Sequence, residues 1–320
     1  MKRFVVTALL VLAMACPGFA KTYNVSVNQF VEHPSLDAVL QGFKDSLKAH
    51  GVEAKYSVHN AKANMDKCNQ IAASIAAESP DLVLAIATPS AQACAVATKK
   101  SPILAGSPLL FTAITDPVGA GLVDNLERPG KNITGVSDML PVAQHVAMMR
   151  RFYPELKKLG MIYNPREANS KSVVAMVKAE GEKHGFEVVE AMVGKPSDVQ
   201  QAAKSLVGKV DAVYLSTDNT VISALESVIK VSEKDKLPLF SADVDSVKRG
   251  TVAALAFDYY RHGYQTGLMA KRIMIDGAFP SETPIETQQQ LLLHLNLKAA
   301  KKLGVKVPED LKKEADKVYE

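Results

Sequence analysis

The segment Asp81 to Ala97, DLVLAIATPSAQACAVA, constrains the fold of this chain more than any other. Leu82 to Ala87 is a short unbroken apolar run, the pattern of a strand buried on both faces. A turn is expected at Thr88-Pro89-Ser90, then a helix of small residues from Ala91 to Ala97. Pro89 suits the first turn of a helix, where its missing N–H would have no partner. The hydroxyls of Thr88 and Ser90 then stand at the carboxyl end of a strand and the amino end of a helix. In an open α/β sheet ligands bind at that place, and helix N–H groups favour an anion. Ser and Thr also serve there as ordinary helix caps. The arrangement gains weight only if it recurs.

It does recur. From Lys21 the chain reads strand (Tyr23 to Gln29), helix (Leu36, Leu40, Phe43 and Leu47 at helical spacing), and strand (Glu53 to Val58). A helix over Lys62 to Ala77, the opening segment, a loop or short strand over Ser101 to Ser107, and a strand over Leu109 to Thr115 follow. The second half repeats this order. Leu159 to Tyr163 is a strand, and His184-Gly185-Phe186-Glu187 echoes His50-Gly51-Val52-Glu53. Val188 to Val193, Asp211 to Ser216 and Pro238 to Ser241 read as further strands with helices between them.

Strands alternating with helices imply parallel, doubly wound sheets. Two copies in 320 residues imply two lobes. The linkers are read as Gly119 to Pro141 and Phe257 to Tyr260. The later segments cross back, so the lobes are discontinuous: residues 21–138 plus 258–288, and 139–257 plus 289–320. The Lys-rich end, Leu297 to Gly304 and Pro308 to Tyr319, reads as solvated amphipathic helix.

The first twenty residues carry the pattern of an export leader. Lys2 and Arg3 precede the apolar Phe4 to Ala15, and Gly18-Phe19-Ala20 offers a small-residue cleavage site. Export to the periplasm is the expectation, with lipidation at Cys16 the alternative. Losing Lys2 and Arg3 lowers the formal charge from +4 to +2, which offers no footprint for nucleic acid. Cys68 and Cys94 would remain, on helices that right-handed crossovers put on one face of a sheet. A Cys68–Cys94 disulfide is expected from compartment, with two buried thiols the alternative.

Two lobes whose strand ends face one crevice can close on a small ligand. The polar strand-end residues are the candidate contacts. In the first lobe they are Gln29, Glu32, Thr88, Ser90, Thr112, Thr115 and Asp116; in the second, Asn164, Asn169, Thr217, Asp218, Asn219, Asp243 and Asp245. Hydroxyls and helix N–H groups on one side suit a carboxylate, and carboxylates on the other suit an ammonium. A zwitterionic amino acid fits that polarity. Thr88, Ser90 and Thr112 would take its carboxylate, Asp218 and Asp243 its ammonium. Phe30, Phe111, Tyr163, Tyr259 and Tyr260 could pack an apolar side chain or simply close the lobe edges. His33 could face the crevice or be structural. No GxSxG elbow, phosphate loop or HExxH is present. The seven histidines lack metal-ligand spacing, so no enzyme, metal or cofactor is expected.

Several motifs carry a resemblance. They are Glu32-His33-Pro34, ATPSAQ (Ala87 to Gln92), FTAITDPVGAGLV (Phe111 to Val123), Tyr163-Asn164-Pro165, STDNTV (Ser216 to Val221) and FDYYRHGYQTG (Phe257 to Gly267). From about Lys21 onward the chain resembles the substrate-binding proteins of ABC transporters, in the family whose characterised members bind aromatic amino acids such as tryptophan. The resemblance implies the type I periplasmic binding-protein fold with three crossovers, a membrane permease and an ATPase as partners, and a monomer. Ser101 to Pro108 is longer than usual for that family. A binding protein of the same fold for a sugar or nucleoside is the alternative. A hydrolase lacks a nucleophile or metal set, and a transcription regulator would need an N-terminal helix-turn-helix.

Overall fold

A computed structural model describes residues 21–320. The expected leader and Cys16 lie outside the described residues. In chain order the strands are β1 (Tyr23–Gln29), β2 (Ala54–Asn60), β3 (Leu82–Ile86), β4 (Leu109–Ile114), β5 (Ile133–Ser137), β6 (Lys158–Tyr163) and β7 (Glu187–Met192). They continue as β8 (Ala212–Leu215), β9 (Leu239–Ser241), β10 (Ala253–Ala256), β11 (Glu286–Thr287), β12 (Leu292–Asn296) and β13 (Lys317–Tyr319). Two sheets result, ordered β11-β5-β4-β3-β1-β2 and β13-β12-β10-β9-β8-β6-β7. The chain passes between them three times: after β5, after β10 and after β11.

The first sheet is wholly parallel. The second is parallel except where β12 runs against β10. Direction of entry explains the exception. The chain returns from the first lobe at the end of the sheet where parallel strands finish. A strand that begins there has to run backwards. β5 lies inside the stretch read above as a linker, where Gly119 to Gly121 masks a short apolar strand. Pro102–Gly106 is a short helix rather than a loop or strand, capped by the Ser101 hydroxyl accepting from the Leu104 N–H.

Burial follows the two-residue period of a strand. On β8, Ala212 and Tyr214 join the hydrophobic cluster on one face of the second sheet, and Val213 and Leu215 join the cluster on the other. All of β3 and β4 is buried, as the apolar runs require.

Two helices on one face of the first sheet position the cleft, Pro34–Ala49 and Tyr259–Met274. They touch backbone to backbone because glycine stands at the contact. A Cβ added to Gly263 would lie 1.9 Å from the Val39 carbonyl oxygen, and one added to Gly42 would lie 2.0 Å from that of Tyr260. Neither neighbour is a side chain that can swing away. Gly263→Ala is therefore expected to destabilise the protein by about 3 kcal/mol, at the top of the usual range for overpacking. Urea unfolding checks this; an unchanged midpoint would show that the helices separate freely.

The expected disulfide is not formed: Cys68 and Cys94 are free, buried thiols. Both reach the same side chain instead. Cys68 Sγ lies 3.8 Å from Asn28 Oδ1, and Asn28 Nδ2 lies 3.6 Å from Cys94 Sγ. The amide on β1 gives each sulfur a polar partner, and burial pushes the Cys94 thiol up to about 12.

Candidate ligand-binding cleft

The carboxyl ends of the parallel strands in both sheets face one crevice. It is lined by His33, Ser35, Leu36, Ala113, Asp138 and Tyr259 from the first lobe and its crossovers. Thr217, Asp218, Asn219, Ile222 and Asp243 line it from the second. With the lobes shut the cavity itself measures about 20 Å³, within about 340 Å³ of space between atoms that includes the open mouth. Away from the crossovers, and among the described residues, hydrogen bonds reach across the cleft from Ser35 Oγ to Asp243 Oδ1 (3.3 Å), between Thr115 Oγ1 and Thr217 Oγ1 (3.0 Å) and from Ser172 Oγ to Asp116 Oδ2 (2.9 Å). The lobes are shut.

Local sequence explains where these groups stand. Asp218 and Asp243 each cap a helix, accepting from the Val221 and Ser246 N–H groups at 2.8 Å. Asp218 also accepts from the Asn164 N–H at 2.6 Å and the Ser170 hydroxyl at 2.7 Å. Asp243 accepts from the Ser246 hydroxyl at 2.6 Å. Asp138 directly follows β5 and accepts from the Thr115 hydroxyl at 3.0 Å and the Tyr259 hydroxyl at 2.8 Å. Ala113 is held in a left-handed conformation, φ 56°, by a register shift in β4. Its N–H donates to His262 Nε2 at 3.1 Å. An alanine in that region costs about 1–3 kcal/mol, and such strain gathers where a wall must be shaped.

The charge balance is one-sided. Burial raises the carboxyls of Asp138 and Asp243 above their ordinary value, and burial with the nearby Glu167 carboxylate raises Asp218. Among the described residues, no lysine or arginine lines the cavity. Burial, helped by the Arg249 charge, pushes His33 down to about 3, so this histidine is neutral. Three buried carboxyls without a cation favour a positively charged guest.

Four of the fourteen candidate residues line the cavity: Thr217, Asp218, Asn219 and Asp243. The others sit beside it or turn away. Ser90 lies in the first turn of helix Thr88–Lys100, which begins at the start of the turn expected at Thr88-Pro89-Ser90 and so ahead of the helix start expected at Ala91. That places its hydroxyl inside the lobe, 3.4 Å from Asn28 Oδ1. Thr112 points to the opposite side of β4 and meets Thr266 Oγ1 at 2.9 Å. Gln29 braces the following loop through Val31 O and Asp37 Oδ1. Glu32 is exposed. Asp116 latches to Ser172, while Asn164 and Asn169 support the Thr217–Thr220 loop. Thr88 Oγ1 is buried with no partner among the described residues.

Sequence reasoning left out Ser35, Leu36, Ala113, Asp138 and Ile222. Asp138 obeys the strand-end rule used for the other residues and was lost with its strand. Glu167 is also absent from the sequence candidates. It is fully buried and takes five donors. Oε1 accepts from the N–H and hydroxyl of Thr220 at 2.9 and 2.7 Å. Oε2 accepts from the Asn219 N–H and Nδ2 at 3.1 and 2.6 Å and from Asn169 Nδ2 at 3.3 Å. It holds the Asn219–Thr220 segment in place below the cavity.

Known proteins agree with this geometry. A Tyrosine-binding protein from Clostridioides difficile (strain R20291) is 37% identical over 289 residues, covering 89% of this chain and 82% of that protein. The structure of an ABC domain in complex with L-Trp from Streptococcus pneumonia superposes with a TM-score of 0.86 at 35% identity, over 92% of this chain and 99% of that one. The ligand-free, open structure of a substrate binding protein with adhesive properties from Clostridium difficile gives only 0.67 at 36% identity, over 93% and 99%. At matched identity the chain follows the liganded relative, as the bonds across the cleft require. The model of the ABC transporter substrate binding protein family matches residues 24–319, and the chain belongs to that family.

Proposed function

We propose that this protein captures an aromatic or large apolar L-amino acid between its lobes and delivers it, chemically unchanged, to a membrane permease driven by an ATPase. It would act in the periplasm, after removal of the leader. The observation that carries the reading is the cavity's charge. Three buried aspartates with no lysine or arginine among the lining residues, and a neutral His33, suit an ammonium group, and Leu36, Ile222, Ala113 and the Tyr259 ring supply apolar wall. Names of relatives support the same choice, since one binds tyrosine and another holds L-Trp. Of the three hydroxyls expected to receive the ligand's carboxylate, only that of Thr88 is without a partner. Ser90 and Thr112 are engaged within the first lobe.

Titration calorimetry with the standard amino acids tests the proposal. Binding of tyrosine, tryptophan or phenylalanine, with weak or absent response to small polar amino acids, is the expected pattern. A panel that produces no heat with any amino acid would remove the assignment.

A further inference from the structure

Resting on that reading, we propose that Asp138 is the carboxylate that receives the ligand's ammonium. The hydroxyl chain Thr217–Thr115–Asp138–Tyr259 then ties ammonium capture to closure of the lobes.

The three aspartates of the cavity are not equivalent. An ionised carboxylate has about four acceptor positions. Asp218 has three filled, two of them by main-chain N–H groups. Asp243 also has three filled: by the Ser246 N–H, the Ser246 hydroxyl and the Ser35 hydroxyl. All but one of these donors belong to helix caps and the loops around them; the exception is the Ser35 hydroxyl, which reaches Asp243 from the opposite lobe at 3.3 Å. Asp138 has one hydroxyl on each oxygen, Thr115 on Oδ1 and Tyr259 on Oδ2. Two positions are left, and the residue lines the cavity while being almost fully buried. A compact ammonium fits such a half-filled carboxylate better than a capped one.

The same two donors reach the moving parts. Asp138 stands where the chain first leaves the first sheet, and Tyr259 where it returns the first time. Thr115 has one hydroxyl proton. When it donates to Asp138, the 3.0 Å contact with Thr217 must be donated by Thr217. That bond comes from the opposite lobe and exists only when the cleft is shut. Each link in such a chain polarises the next, so closure makes the Asp138 end a better-stabilised anion. Ammonium at Asp138 and closure of the lobes therefore favour each other.

Calorimetry on the full chain with L-tyrosine and L-tryptophan, and with 3-(4-hydroxyphenyl)propionate and 3-(indol-3-yl)propionate, separates the roles. The deaminated pair keeps ring and carboxylate but lacks the ammonium. The wild type is expected to prefer the amino acids by about 100-fold or more, the scale of a buried charge pair. Asp138→Asn should reduce that preference to about tenfold or less, while Asp218→Asn and Asp243→Asn retain most of it. Thr217→Val touches neither Asp138 nor the fold's core. Because Thr217 lines the cavity and its bond forms only on closure, both ligand types should weaken, the amino acids by about three- to tenfold more than the deaminated acids, even if Asp138→Asn fails to fold. An undiminished preference in Asp138→Asn, or an equal loss for both ligand types in Thr217→Val, overturns the inference. A wild type that binds the deaminated acids as tightly as the amino acids overturns the inference but not the capture of an aromatic ligand. A wild type that binds none of the four ends both.

Discussion

Replacing Glu167 with alanine is expected to destabilise the protein by about 4 kcal/mol, because several buried neutral donors lose their shared acceptor at about 1–3 kcal/mol each, offset in part by relief of its repulsion with Asp218. The carboxylate satisfies five donors from Asn169, Asn219 and Thr220. Two of them are main-chain N–H groups at the start of the short helix Asn219–Ser223, which has no other use for them. Buried donors left without acceptors cost about 1–3 kcal/mol each, so partial rescue by entering water still leaves a large loss. Glutamine should not repair it. Its carbonyl could serve the Thr220 pair, but its NH₂ would face the two Asn219 donors and the Asn169 amide. Urea unfolding of both variants is the measurement, and a loss below about 1 kcal/mol for the alanine would show that Glu167 is a bystander. Ligand affinity should fall as well, because Asn219 and Thr217 form part of the cavity wall.

Acid should expose a second weakness at His262. Its Nε2 accepts the N–H of the strained Ala113, which requires a neutral ring. Burial lowers its pKa from 6.5 to about 4. The folded pKa lies below the unfolded one, so the unfolded chain binds the proton first. The stability this group contributes is complete above about pH 6.5 and is lost as pH falls towards 4. The swing is about 3 kcal/mol. The raised carboxyls of Asp138, Asp218 and Asp243 act in the opposite direction, because the folded state takes up their protons first. Comparison with His262→Gln cancels that contribution, since both proteins carry the same aspartates. Glutamine keeps an acceptor and cannot titrate. The wild type should be the more stable at pH 7.5, and the gap should close or invert near pH 4.5. A difference that is flat across this range would mean that the imidazole is already solvated. His145, buried and also lowered to about 4, tilts the absolute stability the same way.

Much of the fold was legible because its signals are local. The apolar runs of β3, β4 and β8 announce doubly buried strands, and their alternation with helices leaves little besides parallel sheets. The reversed β12 was not legible, since its direction depends on where the chain re-enters the lobe. β5 was hidden by the glycines before it. For the site, strand-end polarity located Thr217, Asp218, Asn219 and Asp243 but could not say which way a hydroxyl turns. One residue of helix register sends Ser90 into the core, and the period of a strand does the same to Thr112. Ser35 and Leu36 reach the cavity from the start of a helix, and Ile222 from the end of a short one. A Glu such as Glu167 looks like any surface acid until five donors surround it.

The three passages between the sheets also bear on how the molecule can be assembled. The first sheet is incomplete until β11 arrives, and one of its covering helices, Tyr259–Met274, comes only after ten strands have been made. A chain emerging from its amino end therefore cannot finish one half and then begin the other. Both halves stay open at an edge until nearly the last residues appear, which leaves late-stage truncations with two unfinished bodies instead of one sound one.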